Sequence, residues 1–195
     1  MNITVVGTGY VGLVTGTCFA NAGNQVTCLD INPQKLQTLR SGESPFFEPG
    51  LSELMTRSID AGRIVFTDDK SEAYDNPDVI FICVGTPTGK DNRCDISFVT
   101  AVAQDISTAL TTMSNPPVVV VKSTVPVGTT QQVAQQIQGE FHIANNPEFL
   151  REGSAIDDFL RPDRVVCGVE DNVATKVLTQ LYAPFVGQGR PLLFF

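Results

Sequence analysis

Short apolar runs rich in Val and Ile alternate with amphipathic segments along most of the chain. The apolar runs are typical of buried strands, and the amphipathic segments have the spacing of helices that pack on a sheet. The predicted strands are residues 3–6, 26–29, 64–67, 79–84, 118–122, 141–145 and 164–169. The predicted helices are residues 11–22, 33–39, 97–113, 129–137 and 172–181. This order predicts an α/β fold, a doubly wound and mainly parallel Rossmann-type sheet with helices on both faces.

Composition indicates one globular domain over residues 1–195. The 195 residues are 42% hydrophobic and 17% charged, which suits a chain with a substantial core. A net charge of -8 argues against nucleic acid as a partner, because such binding depends on a basic surface. The N-terminus leads directly into a strand, and no apolar run is long enough to span a bilayer. We therefore expect a cytoplasmic protein with neither nucleic-acid nor membrane partners.

The cysteine and histidine content argues against disulfides and metal. The five cysteines lack CxxC spacing, which favours a reduced compartment. Four of them lie in apolar contexts and are expected in the core: Cys18, Cys28, Cys83 and Cys167. Cys94 lies in a polar loop, where we interpret it as an ordinary thiol rather than a reactive one. His142, in an apolar strand, is expected to be a core histidine rather than a base, and we predict no metal site.

The first strand runs into the glycine motif GTGYVG. Gly7 permits the turn out of the strand, Gly9 lets the backbone approach a pyrophosphate, and Gly12 lets helix and strand pack closely. Tyr10 and Val11 open the following helix, whose N-terminal N–H groups and dipole favour an anion. Glycine-rich turns also occur in plain loops, but the strand, motif, helix and second strand occur here in the order of a dinucleotide site.

Asp30 follows the second strand and completes this unit. A carboxylate at this distance from the glycine motif accepts hydrogen bonds from the adenosine ribose, and it repels a 2′-phosphate. The sequence therefore predicts NAD as cofactor in preference to NADP. Lys35 lies one helical turn further on, where its charge could tolerate an extra phosphate.

Unusual sequences follow several later strands, where ligands of such sheets bind. They are VGTPT (84–88), KSTVPVGT (122–129) and NNPEFLREG (145–153), with a loop PFFEPG (45–50) earlier in the chain. Together with GTGYVG and with PDR (162–164), they make the chain resemble the N-terminal half of the UDP-glucose/GDP-mannose dehydrogenase family. The resemblance covers nearly the whole chain, and PFFEPGL, KSTVPVG and PDR favour UDP-glucose as the sugar substrate.

The resemblance implies two successive NAD-dependent oxidations, which take the sugar C6 alcohol to an aldehyde and then to a carboxylate. In this family a cysteine traps the aldehyde as a thiohemiacetal, and water hydrolyses the thioester that follows. By the same resemblance, Thr124 and Glu148 surround that water, and Glu152 lies beside the nicotinamide and the reacting sugar. A hydroxyl and a carboxylate can orient and deprotonate a water.

The resemblance also implies further contacts. Thr86 and Thr124 would touch NAD, and Phe149, Leu150 and Arg151 would form the substrate loop together with the flanking glutamates. Other interpretations stay open: Glu148 and Glu152 could be an acidic first turn of a helix, and Thr86 could merely belong to a strand-ending turn. Lys122 is interpreted as a solvated cation at a strand end and left out of the site.

The family's nucleophile segment, GGxCLPK, does not occur in this sequence. The chain also ends on the apolar residues 191–195, which favours interpretation as a fragment. The resemblance then implies a C-terminal half of the same enzyme as partner, a homodimer or larger assembly, and NAD binding with little or no turnover. The alternatives are a dehydrogenase of another nucleotide sugar, such as GDP-mannose or UDP-N-acetylmannosamine, and an NAD-binding module without chemistry.

Overall fold

Strands and helices alternate through the protein, whose computed structural model describes residues 1–90, 92–187 and 189–195. The strands are β1 (Asn2–Val6), β2 (Gln25–Leu29), β3 (Ile64–Thr67), β4 (Val79–Ile82), β5 (Val118–Val121), β6 (His142–Asn145), β7 (Val165–Val169) and β8 (Leu192–Phe194). The helices are α1 (Tyr10–Asn21), α2 (Pro33–Arg40), α3 (Leu51–Asp60), α4 (Lys70–Ala73), α5 (Ser97–Leu110), α6 (Thr129–Gln136), α7 (Ala155–Leu160) and α8 (Asn172–Tyr182).

The strands form one sheet in the order β3-β2-β1-β4-β5-β6-β7-β8. All neighbouring strands are parallel except β6 and β7, whose antiparallel register pairs Ala144 with Val169. The predicted doubly wound, mainly parallel sheet is therefore confirmed. The chain moves outwards in one direction from β1 to β3 and in the other from β4 onwards, so the crevice between the carboxyl ends of β1 and β4 is the expected ligand position.

Helices cover both faces of the sheet, as predicted. In β4, Val79 and Phe81 point into one apolar core and Ile80 and Ile82 into the other, because successive side chains of a strand alternate between faces. The first core is completed by apolar residues of α1, α2, α3, α7 and α8, and the second by those of α4, α5 and α6. Burial on both sides explains why the central strands are continuous apolar runs.

Three helices were not predicted, namely α3, α4 and α7. In α3 the buried residues Leu51, Met55 and Ser58 have helical spacing, but the segment is short and follows the proline-rich loop directly. The helix predicted over residues 97–113 ends at Leu110, and the strand predicted over residues 79–84 ends at Ile82. Within the described part of the chain, no helix has the length and apolar character needed to cross a membrane.

Candidate functional site

Two of the three motif glycines stand where a side chain would collide with backbone. Gly7 has a φ of +96°, and a Cβ on it would lie 2.8 Å from the carbonyl oxygen of Cys83. A Cβ on Gly12 would lie 1.9 Å from the carbonyl oxygen of Gly7. These two glycines therefore allow β1, β4 and α1 to approach closely.

Gly9 stands in different surroundings. A Cβ on Gly9 would meet no atom of the described residues within 4 Å. Gly9 is the N-cap of α1, and within the described chain no side chain caps this helix end. The first turn, with Tyr10 and Val11, carries no acidic side chain. Its N–H groups and the positive end of the helix dipole are thus available to an anion, and the turn fits a dinucleotide pyrophosphate.

Asp30 lies directly after β2 beside this turn and is 8% exposed. Its Oδ2 accepts hydrogen bonds from the backbone N–H of Thr8 at 2.9 Å and from the Thr8 hydroxyl at 2.6 Å. Its Oδ1 accepts a bond from the backbone N–H of Asn32 at 3.0 Å. Burial raises the pKa of Asp30, but the hydrogen bonds from Lys35 and Thr8 outweigh burial and hold it below its ordinary value. The carboxylate is therefore ionised and held rigidly at the crevice.

The Lys35 ammonium group lies 2.7 Å from Asp30 Oδ2. Lys35 thus forms an ion pair with the predicted ribose-binding carboxylate rather than standing apart from it. Oδ2 has three donors, whereas Oδ1 has only that of Asn32 among the described residues. Oδ1 therefore retains accepting capacity for a sugar hydroxyl.

The loops after β4 and β5 are joined by side-chain hydrogen bonds. The Thr86 hydroxyl donates to the carbonyl oxygen of Thr124 at 2.7 Å, and the Ser123 hydroxyl donates to that of Val84 at 2.7 Å. The thiol of Cys94 lies 3.9 Å from the same carbonyl of Thr124. The structure thus brings the two predicted cofactor threonines together beside the crevice.

The segment 148–152 follows β6 and is not helical, since α7 begins only at Ala155. The interpretation of Glu148 and Glu152 as an acidic first helical turn is therefore wrong. Glu148 is half-buried, and its Oε2 accepts a hydrogen bond from the backbone N–H of Leu150 at 2.6 Å. Glu152 is exposed. The two carboxylates consequently stand in different environments on one loop.

Arg151 and Phe149 border an open cleft of about 540 Å³. The backbone N–H and guanidinium of Arg151 donate to the carboxylate of Asp158, with Nη2 2.6 Å from Asp158 Oδ1. The guanidinium of Arg164 lies over the Phe149 ring at 4.7 Å, which places a cation–π pair beside the loop. The cleft is also lined by Asp157, Arg161, Pro162 and Asp163. Ionic groups of both signs therefore surround this side of segment 148–152.

Tyr10 connects the glycine turn with segment 148–152. Its hydroxyl lies 2.5 Å from Glu48 Oε2 and 3.1 Å from the carbonyl oxygen of Arg151. Tyr10 was predicted only as a cofactor contact, and Glu48 was missed. The PFFEPG loop was noted as unusual, but its sequence does not indicate which residue lies opposite its carboxylate.

Lys122 is not the solvated strand-end cation that was expected, because it is 5% exposed. Its ammonium group lies 2.9 Å from Asn146 Oδ1, and burial lowers its pKa below the ordinary lysine value. Asn146 and Tyr182 were also missed as members of this buried polar cluster. The apolar run before Lys122 was the one signal in the sequence that indicated burial.

The four cysteines that were expected in the core are buried, whereas Cys94 and His142 are half-buried. Four cysteines are buried and all five are free: Cys18, Cys28, Cys83, Cys94 and Cys167, of which Cys94 alone is half-buried. His142 is half-buried, and its Nδ1 lies 2.8 Å from Asp171 Oδ2. Within the described residues no group of three or more His, Cys, Asp or Glu side chains is placed to hold a metal ion.

Comparison with known proteins gives relatives along the whole chain. UDP-glucose 6-dehydrogenase of Rhizobium meliloti (strain 1021) is 46% identical over 202 residues, which cover 100% of this chain and 46% of the relative. The Pseudomonas aeruginosa UDP-glucose 6-dehydrogenase is 45% identical, and the match covers 95% of this chain and 42% of the relative. The chain thus spans about half the length of the curated relatives it matches.

Solved structures agree with these relatives. A UDP-glucose dehydrogenase of Pyrobaculum islandicum superposes with a TM-score of 0.94 at 39% identity, covering 100% of this chain and 46% of that one. A GDP-mannose dehydrogenase of Pseudomonas aeruginosa superposes with a TM-score of 0.92 at 33% identity, and the match covers 100% of this chain and 46% of that one. The profile of the UDP-glucose/GDP-mannose dehydrogenase family, NAD binding domain, matches residues 1–186. The chain therefore belongs to this family as its NAD binding domain, and its cofactor is NAD.

Proposed function

We propose that this chain is the cofactor-binding part of an NAD-dependent nucleotide-sugar 6-dehydrogenase that oxidises UDP-glucose to UDP-glucuronate. The observation that carries the proposal is the meeting of the glycine turn and segment 148–152 through Tyr10, whose hydroxyl lies 3.1 Å from the carbonyl oxygen of Arg151. A cofactor on the turn and a sugar on the segment would therefore be neighbours. The names of the relatives with 46% and 45% identity support UDP-glucose as the sugar.

The residues that would hold NAD lie around the crevice. The backbone of the glycine turn would bind the pyrophosphate, with Gly9 leaving the space and Tyr10 and Val11 providing N–H groups. Asp30 would accept from the adenosine ribose, supported by Lys35 and Thr8. Thr86 and Thr124 would contact the other half of the cofactor. When bound, NAD supplies a hydride acceptor for the oxidation of the sugar carbon.

Segment 148–152 would hold the substrate. We assign Phe149, Leu150 and Arg151 to binding of the nucleotide sugar, with Phe149 50% exposed at the cleft. We assign to Glu148, with Thr124, the orientation and deprotonation of the hydrolytic water, and to Glu152 a position beside the reacting groups. The half-buried carboxylate of Glu148 has one oxygen bonded to Leu150 N–H, which would limit the orientations available to it.

Four of the five thiols of this chain, those of the buried cysteines, support the proposal that the nucleophile lies elsewhere. Burial raises the pKa of Cys18 and Cys83 to about 12 and that of Cys167 to about 11, and it raises the pKa of Cys28 further. A thiol of this kind is not a thiolate at neutral pH, and the thiolate is the nucleophile. We therefore propose NAD binding with little or no turnover by these residues, with a C-terminal half and a homodimer or larger assembly completing the enzyme.

Calorimetric titration of the 195-residue chain with NAD and, separately, with NADP tests the cofactor assignment. We expect NAD to bind more tightly than NADP, and Asp30→Ala to weaken NAD binding and reduce the preference. Asp68→Ala is the control, because Asp68 follows the neighbouring strand β3 and its side chain is 65% exposed. An unchanged preference in Asp30→Ala would move the ribose role to another residue, and no binding of NAD to the wild type would overturn the proposal.

The identity of the sugar substrate is tested by titrating UDP-glucose and, separately, GDP-mannose into the chain saturated with NAD. The titration compares the binding of the two nucleotide sugars, and the absorbance of NADH measures turnover. The GDP-mannose alternative rests on the second structural likeness, at a TM-score of 0.92. Tighter binding of UDP-glucose without NADH formation supports the proposal. Tighter binding of GDP-mannose would replace the substrate, and sustained NADH formation would require a nucleophile within these residues.

A further inference from the structure

Glu48 is a buried carboxylate outside the proposed cofactor and substrate contacts. It lies in the loop before α3, is 6% exposed, and accepts hydrogen bonds from residues that are far away in the sequence. A buried carboxylate is stable only when hydrogen bonds replace its water. The identity of its donors therefore shows what the residue holds in place.

Two of these donors belong to the start of α7. Glu48 Oε2 accepts from the backbone N–H of Gly153 at 2.8 Å, and Oε1 accepts from that of Ala155 at 2.9 Å. Within the described chain the side chain of the N-cap residue Ser154 does not cap the helix. Glu48 thus satisfies N–H groups that the local sequence leaves open, and it places a negative charge at the positive end of α7.

The third donor is Tyr10, the first residue of α1. Its hydroxyl lies 2.5 Å from Glu48 Oε2, and its ring packs on Phe46 with 5.1 Å between centroids. Burial and the hydrogen bond to Glu48 raise the pKa of Tyr10, so the hydroxyl stays protonated and remains a donor. One carboxylate therefore joins the helix that follows Gly9 to Gly153 and Ala155, which come directly after segment 148–152.

We propose that Glu48 is a positioning residue that, through Tyr10, couples the glycine turn to residues 148–155, so that NAD on the turn orders the sugar-binding segment. The inference rests on the proposed function, in which the turn binds NAD and the segment binds the sugar. Coupling between two sites is reciprocal, so a sugar on the segment tightens NAD by the same factor. Short hydrogen bonds through one rigid carboxylate provide a physical connection for that coupling.

Hydrogen–deuterium exchange of the amides in residues 148–156 tests the inference in the 195-residue chain, with and without NAD. The test variants are Tyr10→Phe, which keeps the ring on Phe46 and removes only the hydroxyl, and Glu48→Gln, which keeps the shape and removes the charge. Tyr74→Phe is the matched control for the first, because the buried Tyr74 hydroxyl has no hydrogen-bond partner among the described residues. Glu53→Gln, at an exposed position in α3, is the control for the second.

Without NAD, we expect the amides of Gly153 and Ala155 to exchange about tenfold faster or more in Glu48→Gln than in the wild type, because charge-assisted bonds are lost. With saturating NAD, we expect protection of residues 148–156 to increase in the wild type and both controls. Tyr10→Phe keeps the backbone N–H group assigned to the pyrophosphate and loses only the hydroxyl that faces Glu48, so we expect saturating NAD to bind while this increase is lost. A purely structural Tyr10 would change the exchange without NAD but leave the increase intact.

The outcomes separate the two proposals. If the wild type binds NAD and Tyr10→Phe gains the same protection as the wild type, the coupling is refuted while the proposed function stands. Unchanged exchange of Gly153 and Ala155 in Glu48→Gln without NAD would refute the positioning role regardless of cofactor. If the wild type does not bind NAD, the proposed function fails, and the coupling that rests on it is overturned as well.

Discussion

The ammonium group of Lys122 and the side-chain carbonyl of Asn146 form a 2.9 Å hydrogen bond in the protein interior, directly below segment 148–152. Asn146 Oδ1 also accepts from the Tyr182 hydroxyl at 2.5 Å, and its amide donates to the carbonyl oxygen of Val166 at 2.8 Å. Ends of β5, β6 and β7 are thereby joined through one amide. Asn146, which precedes Pro147 and Glu148, is thus fixed by hydrogen bonds to three residues.

Lys122→Met tests the cost of this buried ammonium. Because burial lowers the pKa of Lys122, the unfolded state holds its proton more tightly than the folded state. Stability from this group therefore rises with pH until the ordinary lysine value of 10.5 is reached. Each unit of lowering corresponds to about 1.4 kcal/mol. We expect the free energy of unfolding of the wild type to rise relative to that of Lys122→Met as the pH increases from neutral to 10.

Urea denaturation at several pH values measures the difference in free energy of unfolding between the wild type and Lys122→Met. Both proteins contain the same cysteines, so the contribution of cysteine titration largely cancels in this difference. Lys70→Met is the control, because the Lys70 side chain is 56% exposed and its ion pair with Asp105 lies at the surface. Parallel pH profiles for the wild type and Lys122→Met would contradict the expectation.

Gly9→Ala separates cofactor binding from stability. A Cβ on Gly9 meets none of the described atoms within 4 Å, and the φ of -69° suits alanine, so we expect a change in the free energy of unfolding below about 1 kcal/mol. The same methyl would occupy the space proposed for the pyrophosphate, and we expect NAD affinity to fall about tenfold or more. Thermal unfolding and calorimetry measure the two effects.

Gly12→Ala is the contrasting variant. Its Cβ would lie 1.9 Å from the carbonyl oxygen of Gly7, so β1 and α1 would have to separate. We expect a loss of several kcal/mol in the free energy of unfolding or failure to fold. If Gly9→Ala bound NAD as the wild type does, the pyrophosphate position proposed above would be wrong.

Asp30→Asn tests the carboxylate that is proposed to bind the ribose. The folded-state pKa of Asp30 is lowered, so its contribution to stability is present above its ordinary value of 3.8 and is lost as pH falls through the folded value. We expect the variant to be less stable than the wild type by about 1.5–3 kcal/mol at neutral pH, since Thr8 and Lys35 lose a charged acceptor. The gap should close in acid.

Denaturation of wild type and Asp30→Asn between pH 7 and pH 3 measures this gap. Asp68→Asn serves as the control, because its side chain is 65% exposed and its ion pair with Arg40 is a surface contact at 3.3 Å. A gap that stayed constant with pH would mean that the charge of Asp30 does not contribute to stability.

Substitutions of Asp171 test how the N-terminus of α8 is stabilised. Its Oδ1 accepts from the backbone N–H groups of Val173 and Ala174, as an N-cap, and its Oδ2 lies 2.8 Å from His142 Nδ1. We expect Asp171→Ala to lower the free energy of unfolding by about 1 kcal/mol, measured by urea denaturation. Asp171→Asn keeps the capping oxygen and should lose less. Equal losses would indicate that the contact with His142, rather than the cap, carries the effect.

The fold was predictable where the signal is local. The central strands are apolar on both faces, so β4 and β5 stand out in the sequence, and turn, helix and second strand around Gly9 follow from glycine and helix chemistry. Helix α3 was missed although Leu51 and Met55 are spaced as a helix, since a ten-residue segment carries a weak periodic signal. The antiparallel pairing of β7 with β6 has no local signature at all.

For the candidate site, the sequence by itself placed the glycine turn, Asp30 and segment 148–152 directly after strands, because local apolar runs mark those strands. Only the tertiary structure decided what holds these loops. Glu48 lies 105 residues from Gly153, and Lys122 lies 24 residues from Asn146. Every residue except proline has the same backbone N–H group, so the sequence does not show which of them Glu48 binds. The burial of Lys122 depends on elements that are distant in the sequence, so its own position does not show it either. Such partners become visible only when the sheet has set its strand order.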